Sequence, residues 1–250
     1  MLALAAHLGT LPLAVVHHVG GGFIHKRTPG NLPCQATDAL FCPQWAADNL
    51  HMYVNPALRQ AYLVVVSVGI GFVLALVLAL VSHRRRWLVP PVTGATGVLF
   101  TIPSLAFFAL LIPITGFGTL TAVIPLSVYT LQIIYRNIIT GLASVPAAAK
   151  DAGRGMGMTA RQLLWRVELP LAVPEIIAGL RVATVSTVAL ATLAFIAGAG
   201  GLGELIKDDL TFKTNIILAG GVAIAIAVAF DVLLLTVQRL VTPWQRARRA

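Results

Sequence analysis

The chain has 250 residues, of which 58% are hydrophobic and only 11% charged, and its mean hydropathy is +0.87. That balance excludes an ordinary water-soluble domain, in which charge interrupts amphipathic apolar stripes, because here the apolar residues come in long blocks. The formal charge of +9 and pI near 10.4 do not imply nucleic acid, since the basic residues stand between apolar blocks and form no continuous groove.

Met1–Gly20 is fairly apolar but contains His7, Pro12, His17 and His18. It reads as an interfacial segment or as a weak extra span, and the basic start of a signal peptide is missing, because no Lys or Arg precedes Lys26. Gly20–Pro56, rich in Gly, Pro, Asn and Asp, reads as an irregular outer segment with Trp45 and Tyr53 at the interface. Residues 1–60 thus precede a membrane domain at 61–244. Tyr62–Val81 is an unbroken apolar run of about the 20 residues that a helix needs to cross a bilayer core. Further runs at Leu88–Ile114, Leu120–Tyr135, Leu171–Ala197 and Ile216–Leu235 predict an all-α, polytopic helical membrane protein. The count is about five transmembrane helices, or six if the first segment also spans.

Pro90, Pro91, Pro103 and Pro113, with Gly94 and Gly97, predict a broken second helix lining a cavity. Beside that break, Thr101 and Ser104 either present hydroxyls to a wet path, or flank a structural kink at Pro103 and bond their own backbone. Orientation follows from Lys and Arg, which gather in short cytoplasmic loops. Arg84–Arg86, the basic residues from Arg136 to Arg181, and the end of the chain from Arg239 through the 245–250 tail are therefore expected in the cytoplasm, and the amino terminus outside. Asp231 is the acidic residue deepest in an apolar run, and such carboxylates mark function or a protected interior. With no basic partner expected inside another span, a proton relay is unsupported, and an approach to Arg239 or the headgroups is the other reading.

Cys34 and Cys42 are the only cysteines, and the charge rule places both outside. A disulfide and two free thiols are both open, because spacing alone does not choose between them. The six histidines show no metal-ligand spacing, and no phosphate-binding G-x-x-x-x-G-K-[ST] sequence is present. Gly198, Gly200 and Gly203 do spell G-x-G-x-x-G. They follow a membrane-length run rather than a strand, so with Gly201 they read as a flexible outer turn, a gate element or a plain loop, and not as a dinucleotide site. No Ser-His-Asp constellation stands out either, so catalysis by this chain is not expected.

Between the third and fourth runs stands VPAAAKDAGRGMGMTARQLLWRVELPLAVP, from Val145 to Pro174. Pro146 suits a first helical turn, Gly153, Gly155 and Gly157 weaken the helix that follows, and Thr159 is a plausible cap for a second short helix running toward Pro170. The segment resembles the coupling loop of permease subunits in binding-protein-dependent ABC importers. That family's pattern is Glu-Ala-Ala, three residues, Gly, nine residues, Ile-x-Leu-Pro, and it falls here on Asp151, Ala152, Gly153, Gly157, Val167, Leu169 and Pro170, with Met158 following the central glycine. Asp for Glu, Gly for the second Ala and Val for Ile are the departures.

TIPSLA at Thr101–Ala106, GRGMGMT at Gly153–Thr159, VELPLAVP at Val167–Pro174 and GAGGLGELI at Gly198–Ile206 extend the resemblance to osmoprotectant permeases, importers of glycine betaine, carnitine or choline. The resemblance implies a type I ABC importer permease fold in the bacterial cytoplasmic membrane, with the coupling loop near 141–170. It implies cytoplasmic ATPase subunits that bind ATP and Mg, a second permease subunit in a homo- or heterodimer, an extracytoplasmic solute-binding protein, and surrounding lipid. No cofactor in this chain and no nucleic acid are implied. An ABC permease for another small solute, such as an amino acid derivative, is the nearer alternative; a secondary transporter or channel would place binding charges at midplane and often repeat its halves, neither of which is visible in the sequence, and a purely structural membrane protein comes last.

Overall fold

A computed structural model describes residues 40–208 and 210–243, and every regular element among them is helical. The elements are α1 (Pro43–Asn49), α2 (Val54–Arg84), α3 (Val89–Thr101), α4 (Ser104–Thr115), α5 (Thr119–Ala143), α6 (Ala147–Gly155), α7 (Ala160–Leu163), α8 (Leu169–Ala191), α9 (Leu202–Asp208) and α10 (Lys213–Val241). Short tight turns join α1 to α2 and follow α8.

Four helical runs are long and apolar enough to cross a bilayer: Pro43–Arg84, Thr119–Ala143, Ala160–Ala191 and Lys213–Val241. The second predicted run is broken, as its prolines imply, and counts as a fifth span if the bent pair is one traverse. Ile102 and Pro103 take extended backbone, so α3 and α4 meet at a bend of 91°, a broken span or a re-entrant pair. The first helix also begins at Val54, ahead of the expected Tyr62.

α5 is the central helix. Its most apolar stretch is 67% buried within the chain, against 6% for that of α10, which leaves α10 open to lipid or to another protein. Helices gain little from apolar burial when lipid is the alternative, so close approach through small residues does the packing. A Cβ on Gly71 of α2 would stand 1.9 Å from Thr130 Oγ1, and one on Gly179 of α8 would stand 2.3 Å from Asn137 Cβ. Both neighbours lie on α5, so α2 and α8 pack tightly against its flanks.

The described part of the segment before α2, residues 43–53, is helical and packed rather than irregular and interfacial. Trp45 and Tyr53 are buried; the Trp45 ring meets Phe212 edge-on, and Tyr53 donates to Asn215 Oδ1. Cys42 is buried as well, and its amide donates to Thr214 Oγ1 at 3.0 Å. Cys34 lies outside the described residues, as do Met1–Gly20 and the 245–250 tail.

Candidate functional site

At the arginine-rich end, α5 leads through Pro146 into α6. Pro146 caps the helix rather than entering its first turn, and α6 runs through Gly153 and Gly155 without breaking. It stops at Gly157, whose φ of +77° lies in the left-handed region. Met158 N–H donates to Gly153 O at 3.1 Å and Gly157 N–H to Arg154 O at 2.9 Å, the paired bonds of a Schellman ending. Thr159 then opens α7 with a capping box: Gln162 N–H donates to Thr159 Oγ1, and Thr159 N–H to Gln162 Oε1. Three residues therefore close one helix and start the next with four hydrogen bonds, which makes the turn a defined corner.

The second helix of this segment is not a separate short one. α7 passes through a widened turn, Leu164–Glu168, straight into α8. Pro170 has no N–H to return to Arg166 O and its ring crowds that carbonyl, so a locally widened helix is the expected accommodation. Asp151 and Ala152 are exposed on α6, and Asp151 meets Arg154 at 3.4 Å in a solvated pair of little energetic weight. Gly153 is the buried member: a Cβ there would fall 2.6 Å from Leu163 Cδ1 and 3.7 Å from Val167 Cγ2. Glycine in place of the pattern's second alanine thus seats α6 against α7. Val167, Leu169 and Pro170 are half-buried where the segment enters the membrane domain, while exposed Trp165 shares a groove of about 490 Å³ with Thr159, Arg161, Gln162 and Arg166. Glu168 is buried, and its Oε2 lies 2.7 Å from His83 Nε2 at the end of α2, a close polar contact without aligned hydrogen-bond geometry.

The opposite end gathers the other glycines. Gly198, Gly200 and Gly201 all have positive φ, but the turn is braced rather than loose. Gly118 N–H donates to Ala197 O at 2.7 Å; Arg59 donates through Nε to Ala199 O at 2.9 Å and through Nη2 to Thr119 Oγ1. Fully buried Gln60 donates to Val188 O at 2.9 Å and accepts from Leu202 N–H at 3.3 Å. A Cβ on Gly203 would fall 1.6 Å from Thr192 O. Arg59 and Gln60 were not singled out from the sequence. A glutamine inside an apolar helix was the available signal.

The α3–α4 break is locked by its neighbours. Thr101 Oγ1 donates to its own helix at Val98 O, 2.7 Å away, and Tyr129 donates to Ile102 O. Pro103 precedes α4 with extended backbone, and Ser104 is half-buried at its first position.

Asp231 does have a basic partner in another span. Arg181, counted with the cytoplasmic loop from sequence, lies inside α8 and holds Asp231 of α10 by two bonds, Nε to Oδ1 and Nη2 to Oδ2, both 2.8 Å. Its position 12 residues beyond Leu169, about 18 Å along a helix, was the overlooked signal.

The architecture is a helical membrane bundle with a hydrogen-bonded corner at one end and a braced glycine turn at the other. Residues 52–247 match the binding-protein-dependent transport system inner membrane component family, and the chain belongs to it. It is similar to the osmoprotectant import permease protein OsmW of Salmonella typhimurium, at 37% identity over 203 residues, covering 78% of this chain and 94% of that protein. It is likewise 37% identical over 194 residues to the choline transport system permease protein OpuBD of Bacillus subtilis, with 76% and 84% covered. The carnitine transport permease protein OpuCB of Listeria monocytogenes is 37% identical over 180 residues, with 72% and 83% covered. Among solved structures, a chain of the MetNI methionine ABC transporter aligns with TM-score 0.64 at 22% identity, covering 78% of this chain and 96% of that one. A chain of an amino acid ABC transporter aligns with TM-score 0.66 at 17% identity, covering 78% and 97%. Those two likenesses carry the fold alone. The chain is a membrane permease subunit, and not an enzyme.

Proposed function

We propose that this permease forms the translocation path for a small osmoprotectant of the glycine betaine, carnitine or choline kind, and that Asp151–Pro170 couples it to a separate ATPase. The observation that carries the coupling is the corner at Gly157–Thr159: it presents exposed α6 as one piece, and α7 continues into α8 without a joint. A push on α6 is then a push on a membrane helix. The substrate class rests on what the curated relatives are named for.

In this reading the arginine-rich end faces the cytoplasm, where ATPase subunits bind ATP and Mg and hydrolyse the nucleotide. The amino-terminal segment and the glycine turn face outward toward a solute-binding protein, and a second permease subunit, identical or related, completes the path. Recognition falls mainly to the binding protein, since the exposed tryptophans among the described residues, Trp87 and Trp165, stand near the ends of the long helical runs rather than mid-span. The Thr101–Ser104 break is a candidate wall of the path, and the glycine turn a candidate gate.

The test is expression with the ATPase and binding protein in bacteria that lack their own osmoprotectant uptake. The expected outcome is co-purification with the ATPase and glycine betaine-dependent growth at high salt. Growth that stays solute-independent while the complex assembles refutes the substrate class; a permease that never co-purifies with an ATPase refutes the coupling.

A further inference from the structure

Arg181 and Asp231 stand far from either helix end. At about 1.5 Å per residue, Asp231 lies about 15 Å from the Val241 end of α10 and about 27 Å from its start. The side chains retain 27% and 33% of their exposure, so this paired charge is not sealed inside the chain. Charged groups turned toward hydrocarbon are expensive, which argues that this face meets water or protein. Beside the pair, α8 and α10 enclose a groove of about 490 Å³ in which Asp231 is the one charged lining residue. Its walls are small and apolar, among them Val185, Val188, Ala223, Ala227 and Val228.

We propose that this groove is a low-affinity site for a zwitterionic quaternary ammonium solute, with the solute's carboxylate on Arg181 and its ammonium beside Asp231. The proposal rests on the importer reading above and adds the place and chemistry of contact. The pair itself uses only two of the five guanidinium N–H donors, and each carboxylate oxygen retains acceptor capacity. A zwitterion entering between or beside the two groups leaves each charge opposite a countercharge, so the exchange is close to neutral in energy. Weak binding of that sort suits a path, where the occupant must leave again.

The walls choose the kind of cation. A primary ammonium carries N–H donors that valine and alanine side chains do not satisfy, whereas a quaternary ammonium has none and presents methyl groups to them. The site therefore discriminates glycine betaine from glycine without an aromatic cage.

The experiment is saturation-transfer NMR on the assembled permease–ATPase complex without binding protein, in phosphatidylglycerol and phosphatidylethanolamine nanodiscs, so that no choline headgroup competes. Transfer to the methyl resonance of glycine betaine, and about tenfold less to glycine at equal concentration, is expected. Asp231→Asn and Arg181→Gln should each abolish it. Because removing one partner of the pair threatens folding, Ala227→Leu is the control that leaves both charges in place and fills the groove. It should abolish transfer while ATPase association and thermal stability match the parent complex. No transfer in the parent complex, or transfer that survives Ala227→Leu, overturns the site. Absent transfer with intact osmoprotectant uptake in cells sinks this site alone; absent uptake sinks the importer reading with it.

Discussion

The two ends of the bundle each carry glycines, but they use them differently. At the glycine turn of 198–203, glycine makes room: Gly203 sits where any side chain would strike Thr192 O, and Arg59, Gln60 and Gly118 tie the turn to α2, α5 and α8. At the Gly157 corner nothing lies within 4 Å of where a Cβ would stand, and glycine serves only the backbone, through its φ of +77°. The first arrangement is built inward, around contacts already made. The second is built outward, and its shape is defined while its surface is left uncovered.

If that contrast is right, substitution at the two glycines fails in different ways. Gly203→Val forces a branched side chain into a backbone carbonyl that cannot step aside, and the expected destabilisation is about 3 kcal/mol or more. The measurement is the folded, monodisperse fraction after detergent extraction, which should collapse. A normal yield would show that the turn is softer than its packing implies.

Gly157→Val meets no neighbour, so only the left-handed backbone is opposed, at about 1–3 kcal/mol borne by one exposed corner. Insertion and yield should persist while solute uptake falls and ATPase association weakens or loses its effect. Normal uptake with normal ATPase association would remove the coupling role from this corner.

Much of this was legible in sequence because bilayer crossing needs long apolar runs, and all the long helices announce themselves that way. The corner at 157–159 was legible for a different reason: Thr159 and Gly157 are residues whose local chemistry favours a cap and a left-handed turn. What sequence concealed was relational. Arg181 reads as a loop charge until α8 is seen to carry it beside Asp231. Prolines announce a break near 103 but not its 91° angle, which depends on α5 and on Tyr129 holding Ile102 O. Trp45 and Tyr53 look interfacial by type, and only tertiary contact with Phe212 and Asn215 buries them.

A more local effect is expected where the amino-terminal segment meets α10. Among the described residues there is no free cysteine, and Cys34 is the only other cysteine in the chain, so a Cys34–Cys42 bridge is the pairing we propose. Closing so short a loop stabilises by about 2–3 kcal/mol in the chain-entropy account, and the gain is confined to that segment. Thiol labelling of intact cells without reductant should mark neither cysteine; full labelling of both rejects the bridge.

The smallest effect tests the corner from its inner side. Gly153 departs from the family pattern, in which alanine stands at this position, and the nearest obstacle to a Cβ is Leu163 Cδ1 at 2.6 Å, the far end of a flexible side chain. Restoring alanine therefore sets two effects against each other. Helix propensity favours alanine over glycine by up to about 1 kcal/mol within α6. Displacing Leu163 costs a comparable amount, because a buried side chain must leave its packed position. The net change in stability for Gly153→Ala should stay within about 1 kcal/mol of zero, and uptake should stay near the parent rate. Pairing it with Leu163→Ala separates the two: the double variant has room for the new methyl, so the propensity gain should appear unopposed and Gly153→Ala should be more favourable in the Leu163→Ala background than in the parent. If the two substitutions are simply additive, Leu163 is not what excludes the side chain, and the reason for glycine at 153 must be sought on the exposed face of α6, where we propose that the ATPase docks.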